Sequence, residues 1–428
     1  MSAATASPTA SVESTRQTRL ARVAVAALFL TNGALFANVV PRYPQIKADL
    51  GLSNAVLGAA LAALPLGALL AGLLAAAAIR RFRSSRVAAL GVVLLAVATF
   101  VIPFASNGIA FGAVLFVIGA LDAVVDVAQN AHGLRVQRLY GRSIVNSFHG
   151  VWSIGAVLGG LMGSAAAGLR VPLAIHLSVS TALFGVVALV AYRFLLPGPE
   201  DAERPAVTRV PGADHDPAAT RDPAADGHPA APAAHDAGRR AFAGSTARML
   251  AALGVLAACG ALVEDAGASW GAIYLSGDLR TDAATAGLAF VALQVAMTVG
   301  RLTGDRAVDR FGQRTVVRAG GALATVGMGA ALAVPTVGTA LAGFALAGLG
   351  VATLVPAAMH AADELPGLPD GTGLTIVSWL LRGGFLLSPP LVGFVADLVS
   401  LRVGLLSVVL AGLVTVILAR VLADRRQA

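Results

Sequence analysis

FVIGALDAVVDVAQNAH, Phe116 to His132, places two carboxylates inside a run otherwise apolar enough to cross a membrane. Wound as a helix at about 100° per residue, it sets Asp122, Asp126 and Gln129 within about 60° of one another, with Asn130 flanking them. The outcome is one polar stripe on an apolar rod. A carboxylate near a bilayer centre costs roughly 2.5 to 3.5 kcal/mol on insertion scales, so such residues face a protein interior or a water-filled cavity. A cavity between helices is the first expectation. The competing one is a structural carboxylate held by neighbouring serines or an arginine.

Outward from that stretch, the chain of 428 residues is 57% hydrophobic and 13% charged, with a mean hydropathy of +0.78. That is too little polar surface for a soluble globule of this size. Apolar runs of about 18 to 26 residues recur from end to end, long enough to span a hydrocarbon core of about 30 Å. Strand-like alternation is absent, which sets aside a transmembrane barrel. The expected fold is all-α and polytopic, with twelve transmembrane helices.

The net charge of +8 would suggest a nucleic-acid partner in a soluble protein, but here the basic residues follow the loops. With twelve spans, Arg42, Lys47, Arg170, Arg280 and Arg402 fall on one side, Arg382 lies inside a span, and all other basic residues fall on the opposite side. The positive-inside rule accounts for this, predicts both termini in the cytoplasm, and leaves no nucleic acid to explain. The expected location is the cytoplasmic (inner or plasma) membrane. Lys47 is the single lysine and sits in a loop, so the chain offers no phosphate-loop lysine for ATP and no Schiff-base lysine. Energy then comes from an ion gradient, a solute gradient or a partner. The single cysteine, Cys259, lies in an apolar helix and excludes an intramolecular disulfide. No cofactor and no metal are expected, and the protein is taken as a monomer in the lipid bilayer.

In chain order, residues 1–21 read as a disordered cytoplasmic tail and 22–194 as a first set of six helices. Residues 195–247, rich in Pro, Ala, Asp, Gly and Arg without period, read as a disordered cytoplasmic linker. Residues 248–422 read as a second set of six, followed by a short tail, 423–428. His215, His228 and His235 in the linker lack the cysteines and spacing of a metal site. Within the spans, Asn32 and Asn38 of span one suit either interhelical hydrogen bonding or solute contact. Asn146, His149 and Ser153 share one face of span five, where His149 suits either a proton relay or a hydrogen-bonded helix interface. His176 of span six shows no partner in the sequence. Glu264 and Asp265 are adjacent in span seven, and because neighbours on a helix point about 100° apart, only one is expected to face a cavity. Arg382 of span eleven is placed to neutralise a carboxylate and switch partners, or to form a fixed ion pair.

A shift of 229 residues superposes the two halves. Asp49, Leu50 and Gly58 fall on Asp278, Leu279 and Gly287; Arg81 and Phe82 fall on Arg310 and Phe311; Gly119 and Gly155 fall on Gly348 and Gly384. The chain therefore reads as two parallel six-helix repeats, an architecture in which a central site is exposed alternately to each side.

With these features the chain resembles the major facilitator superfamily (MFS). The signature loop of that superfamily is similar to the segment around Gly304, Asp305, Arg306, Asp309, Arg310, Gly312 and Arg314, although the family's glycine four residues before the aspartate is Asp305 here. The first-half copy is degraded, with Arg80 at the aspartate and Arg83 at the later glycine. The resemblance implies that Asp309 caps or pairs near the inner end of span eleven and helps latch an outward-facing state. More narrowly, residues 28–53, 121–160 and 265–312 are similar to the branch containing YbjJ-like and MosC-like membrane proteins. That branch implies transport, with a suggested link to aminocyclitols.

The resemblance further implies that spans one, four, seven and ten line the cavity, which brings Asp122, Asp126 and Glu264 or Asp265 to a solute. Facing carboxylates in a poorly solvated cavity repel, and binding a proton relieves both penalties. The expectation is a secondary transporter, coupled to protons, for a small polar sugar-like or aminocyclitol-like solute. The rivals are proton-driven efflux of drug-like compounds and a non-transporting receptor or scaffold. No nucleophile-base motif suggests an enzyme. Few aromatics are expected at the cavity, favouring a polyhydroxylated or cationic solute over a flat hydrophobic one.

Overall fold

The computed structural model describes residues 8–140, 144–198, 232–365, 368–369 and 371–422, apart from the side chains of 8–15, 146 and 232–245. Arg142, the central part of the expected linker with His215 and His228, and the tail 423–428 lie outside the described residues, as do the side chains of Asn146 and His235.

Among the described residues, twelve helices are long and apolar enough to cross a membrane. Spans one to six are Arg16–Asp49, Asn54–Gly72, Ser84–Phe104, Gly108–Tyr140, Ser147–Gly168 and Leu173–Tyr192. Spans seven to twelve are Thr246–Gly277, Ala283–Phe311, Gln313–Ala333, Val337–Asp363, Thr372–Leu398 and Leu401–Val421. The helix carrying span one starts at Pro8 and that of span seven at Pro232, upstream of the boundaries expected at 22 and 248. The second extension is rich in Ala, the best helix former, and each extension opens on a proline, which the first helical turn accepts.

Polar residues fix the helix starts. Ser53 caps span two by accepting from the Val56 amide, and Asp282 caps span eight by accepting from the Ala284 and Thr285 amides. The Thr285 hydroxyl and these amides hold the Asp282 carboxyl below the usual carboxylate range. Thr336 and Thr339 form a reciprocal capping box at span ten.

The two halves repeat at the level of contacts. Gly119 of span four packs on the Leu64 carbonyl of span two, and the repeat-related Gly348 of span ten packs on the Leu293 carbonyl of span eight. In both places a Cβ would collide with backbone, so only glycine allows the approach. Backbone conformation repeats as well. Arg83 and Gly312, equivalent across the repeat, share φ of 72° and 83° with ψ of 148° and 150°. Gly51 and Arg280, also equivalent, have φ of 61° and 53°. Each half keeps one glycine and carries one arginine at these left-handed positions.

The halves meet mainly at the end that carries Arg42, Lys47, Arg170, Arg280 and Arg402, the Arg-poor end. Gly58 of span two packs on Pro389 and Pro390 of span eleven, and Gly393 on the Asn54 carbonyl. Gly168 and Gly160 of span five pack on Ala284 and Phe290 of span eight. Asp397 crosses between the halves, accepting from the Asn54 amide at 2.9 Å and the Ala55 amide at 2.7 Å, at the start of span two. Toward the opposite, Arg-rich end the contacts thin. Gly150 only just reaches Leu302, and Gly72 faces open space. Asp126, His149 and Arg382 are solvent-exposed there despite lying in apolar spans.

Candidate functional site

Between the halves lies a cavity of about 410 Å³. Spans one, four, seven and ten contribute Asn32, Asp122, Glu264, Asp265 and Met359, among others. Spans two, five, eight and eleven add Pro65, Trp152, Gln294, Ser378 and Arg382, so the wall is wider than the four spans that the resemblance implies. Phe36, Trp152, Phe290 and Phe385 also line it, correcting the expectation of few aromatics. Aromatic residues in apolar spans read as packing in sequence, and only the fold turns these four inward.

The first-half wall centres on Asn32. Trp152 Nε1 donates to Asn32 Oδ1 at 2.8 Å, and Asn32 Nδ2 donates to Asp122 Oδ1 at 2.8 Å. An indole N–H is only a donor and an ionised carboxylate only an acceptor, so these partners determine the orientation of the amide between them. That bond occupies one of the two Asp122 carboxylate oxygens. Asn32 therefore makes interhelical hydrogen bonds at the cavity wall; Asn38 bonds Ser180 at 2.7 Å and His176 at 2.7 Å, tying span one to span six.

One turn toward the Arg-rich end, Asp126 accepts from Asn130 Nδ2 at 3.0 Å, and Asn130 Oδ1 pairs with His149 Nε2 at 3.1 Å. Arg382 stands within electrostatic range of Asp126. Asp126, Asn130 and His149 lie outside the cavity lining, at its mouth. Gln129, placed on the same stripe by the helical wheel, is buried and donates to the Leu28 carbonyl at 3.2 Å. Its position supports packing between spans four and one.

In the second half both Glu264 and Asp265 line the cavity, where only one was expected. They sit at different depths. Glu264 pairs with Arg301 of span eight at 3.3 Å. Asp265 accepts from Ser269 Oγ at 3.1 Å, while its Oδ2 is buried and has no hydrogen-bond partner. Arg382 lines the same cavity and forms no ion pair among the described residues. Sequence reasoning missed Trp152, Arg301 and Gln294; the polar Gln294, set within the apolar run of span eight, was the readable signal.

The loop after span eight lies outside the cavity. Gly304 is buried, while Asp305, Arg306, Asp309 and Arg310 are exposed. Gly312 supplies the positive φ between spans eight and nine, and Arg314 donates to the Leu422 and Arg420 carbonyls beside span twelve. Asp309 makes no hydrogen bond or ion pair with span eleven among the described residues, in a structure whose Arg-rich end is open.

Residues 250–428 match the sequence model of the Major Facilitator Superfamily. The chain is similar to the membrane protein MosC of Rhizobium meliloti, with 29% identity over 409 residues covering 96% of this chain and 91% of that protein. Its fold is similar to that of the nucleoside transporter NupG, with a TM-score of 0.69 at 15% identity, covering 93% of this chain and 97% of the other. A D-xylose-proton symporter superposes with a TM-score of 0.66 at 15% identity, covering 96% of each chain.

Proposed function

We propose that this Major Facilitator Superfamily transporter moves a small polyhydroxylated, amine-bearing solute, sugar-like or aminocyclitol-like, coupled to protons and by alternating access. The observation that carries the reading is the Asn32–Asp122–Trp152 constellation on a cavity that also holds Glu264 and Asp265. Asp122 offers a carboxylate to an ammonium or hydroxyl, and the Trp152 ring offers a flat apolar face to the solute's C–H surface. The lining carboxylates Asp122, Glu264 and Asp265 outnumber the lining cation Arg382, which favours a cationic over an anionic solute. A cavity of about 410 Å³ suits a ligand of one or two small rings. Tight packing at one end and a gap at the other support one of the two arrangements that alternating access requires.

Proton coupling is supported by carboxylates buried in a membrane-spanning cavity and by a fold neighbour named as a proton symporter. The Arg-rich end is assigned to the cytoplasm of an inner or plasma membrane by the positive-inside rule, so the structure corresponds to an inward-open state. Asp309 is proposed to engage span eleven only when that end closes.

One observation favours a second reading. The four aromatics Phe36, Trp152, Phe290 and Phe385 around carboxylates also suit efflux of a cationic aromatic compound. Counterflow into proteoliposomes loaded with glucosamine, myo-inositol, xylose or ethidium separates the two. The proposal predicts glucosamine exchange, lowered at least about tenfold in Asp122→Ala. Ethidium exchange without glucosamine or inositol exchange would overturn it in favour of efflux.

A further inference from the structure

We infer that a cavity of about 380 Å³ at the Arg-poor end is a second binding site, for a small hydroxylated carboxylate from the aqueous phase, whose occupant holds that end closed. The closing half rests on the alternating-access reading above; the binding half does not. This cavity shares no lining residue with the one that holds Asp122 and Asp265. Its wall comes from both halves, with Pro41, Gln45 and Arg170 from the first and Ser276, Thr281 and Ala286 from the second.

Charge sets the class of ligand. Arg170 is the one charged side chain among the described lining residues, and it makes no side-chain hydrogen bond or ion pair among the described residues. Directly behind the wall, Arg42 is 1% exposed and donates from Nη2 at 2.7 Å to the carbonyl of Val171, itself a lining residue. Its Nε and Nη1 are buried without hydrogen-bond partners, and a guanidinium keeps its charge when buried. The carboxylates of the adjoining segments do not line the cavity: Asp49 accepts from Gln45, and Asp282 accepts from the first amides of span eight. One cation on the wall and a second behind it favour an anion. Thr281 Oγ1 is buried without a partner, which leaves it to pair with a ligand oxygen. The volume suits a single small ring.

The backbone at Arg170 agrees. The Val171 amide donates to the Ala166 carbonyl and the Arg170 amide to the Ala167 carbonyl, the two bonds of a Schellman motif, in which the residue at position 170 is ordinarily glycine. Arg170 instead holds φ of 54°. A long cation kept where glycine fits is a local cost of the kind found at ligand sites.

The link to closure follows from the split wall. Gly168 packs on Ala284 beside the cavity, and Gly287 packs on Pro41 and Ser164. Opening that end separates Arg170 from Thr281 and takes the site apart. A ligand that binds only the closed form shifts the population toward it, without competing for the central cavity.

The test is calorimetric titration of glucuronate onto the full-length protein in phosphatidylcholine nanodiscs, with glucose as the uncharged control. The inference predicts saturable binding of glucuronate and none of glucose, weakened at least about tenfold in Arg170→Gly and about threefold in Thr281→Val. Glycine suits the backbone at position 170, so that variant should keep a Tm no lower than wild type, and its lost affinity reads the missing guanidinium. With spin labels at the Arg-poor ends of spans five and eight, glucuronate should raise the short-separation population in wild type but not in Arg170→Gly. Absence of glucuronate binding, equal binding of glucose, or binding undiminished in Arg170→Gly would overturn the site. Displacement by glucosamine would place the anion in the central cavity, and an effect seen only with phosphatidylglycerol in the nanodiscs would assign a lipid headgroup; either overturns the soluble ligand proposed here. Binding that leaves the separations unmoved would overturn the closing half alone. Separations that also stay fixed in Asp397→Ala would contradict the alternating-access reading instead.

Discussion

Asn32 is the residue on which the first-half wall depends, since one amide serves both an indole donor and a carboxylate acceptor. Asn32→Leu removes both bonds, one of them to a charge, and the expected outcome is a rise of about 10- to 100-fold in KM for glucosamine uptake. Trp152→Phe keeps the ring and loses the N–H, so a rise of only about 3- to 10-fold is expected in the same assay. Gln129→Ala is the contrasting case. Its bond to Leu28 is buried packing, so KM should stay within about twofold while stability falls by about 1 kcal/mol, read as a lower Tm of the purified protein. Sequence periodicity placed Asp122, Asp126 and Gln129 on one stripe but carries no record of what stands opposite. Span one turns Gln129 into a packing group, exposure puts Asp126 at the mouth, and Asn32, held by Trp152, fixes Asp122 at the cavity wall. The helical wheel supplies rotation within one helix; the roles come from the neighbours.

At the scale of elements, the degraded first-half loop is degraded in residues but not in geometry. Arg83 adopts the backbone of its counterpart Gly312, a region that side chains other than glycine enter at a cost of about 1 to 3 kcal/mol. Arg83→Gly should therefore raise the Tm of the purified protein, while Gly312→Ala, forcing a Cβ into the same conformation, should lower it. The repeat was legible in sequence because loop positions such as Arg81–Phe82 and Arg310–Phe311 coincide without gaps. The shared conformation was not legible, since an arginine in place of glycine reads as loss of the turn. The upstream helix starts at Pro8 and Pro232 escaped notice for a related reason, because Ser and Thr in the first stretch and Pro and Gly in the second read as tail and linker.

For the whole molecule, the twelve spans and the basic asymmetry of the loops were readable from composition and period, which are set by the bilayer. Which end is closed was not readable, because it depends on contacts made across the two halves. Those contacts are specific: the Asp397 carboxylate on the first amides of span two, and Gly58 against Pro389 and Pro390. Asp397→Ala removes two charge-assisted bonds at a helix N-terminus. Spin labels on spans two and eleven near that end should then show a larger population at long separation by pulsed electron resonance. The central claim is that this closure confines a carboxylate-lined cavity whose solute and proton move together. Its most direct test is proton flux in proteoliposomes challenged with glucosamine, with wild type and Asp122→Asn side by side. The account predicts a glucosamine-dependent pH change in wild type that falls at least about tenfold in the variant; glucosamine movement without proton flux, or flux unchanged by the substitution, would contradict it.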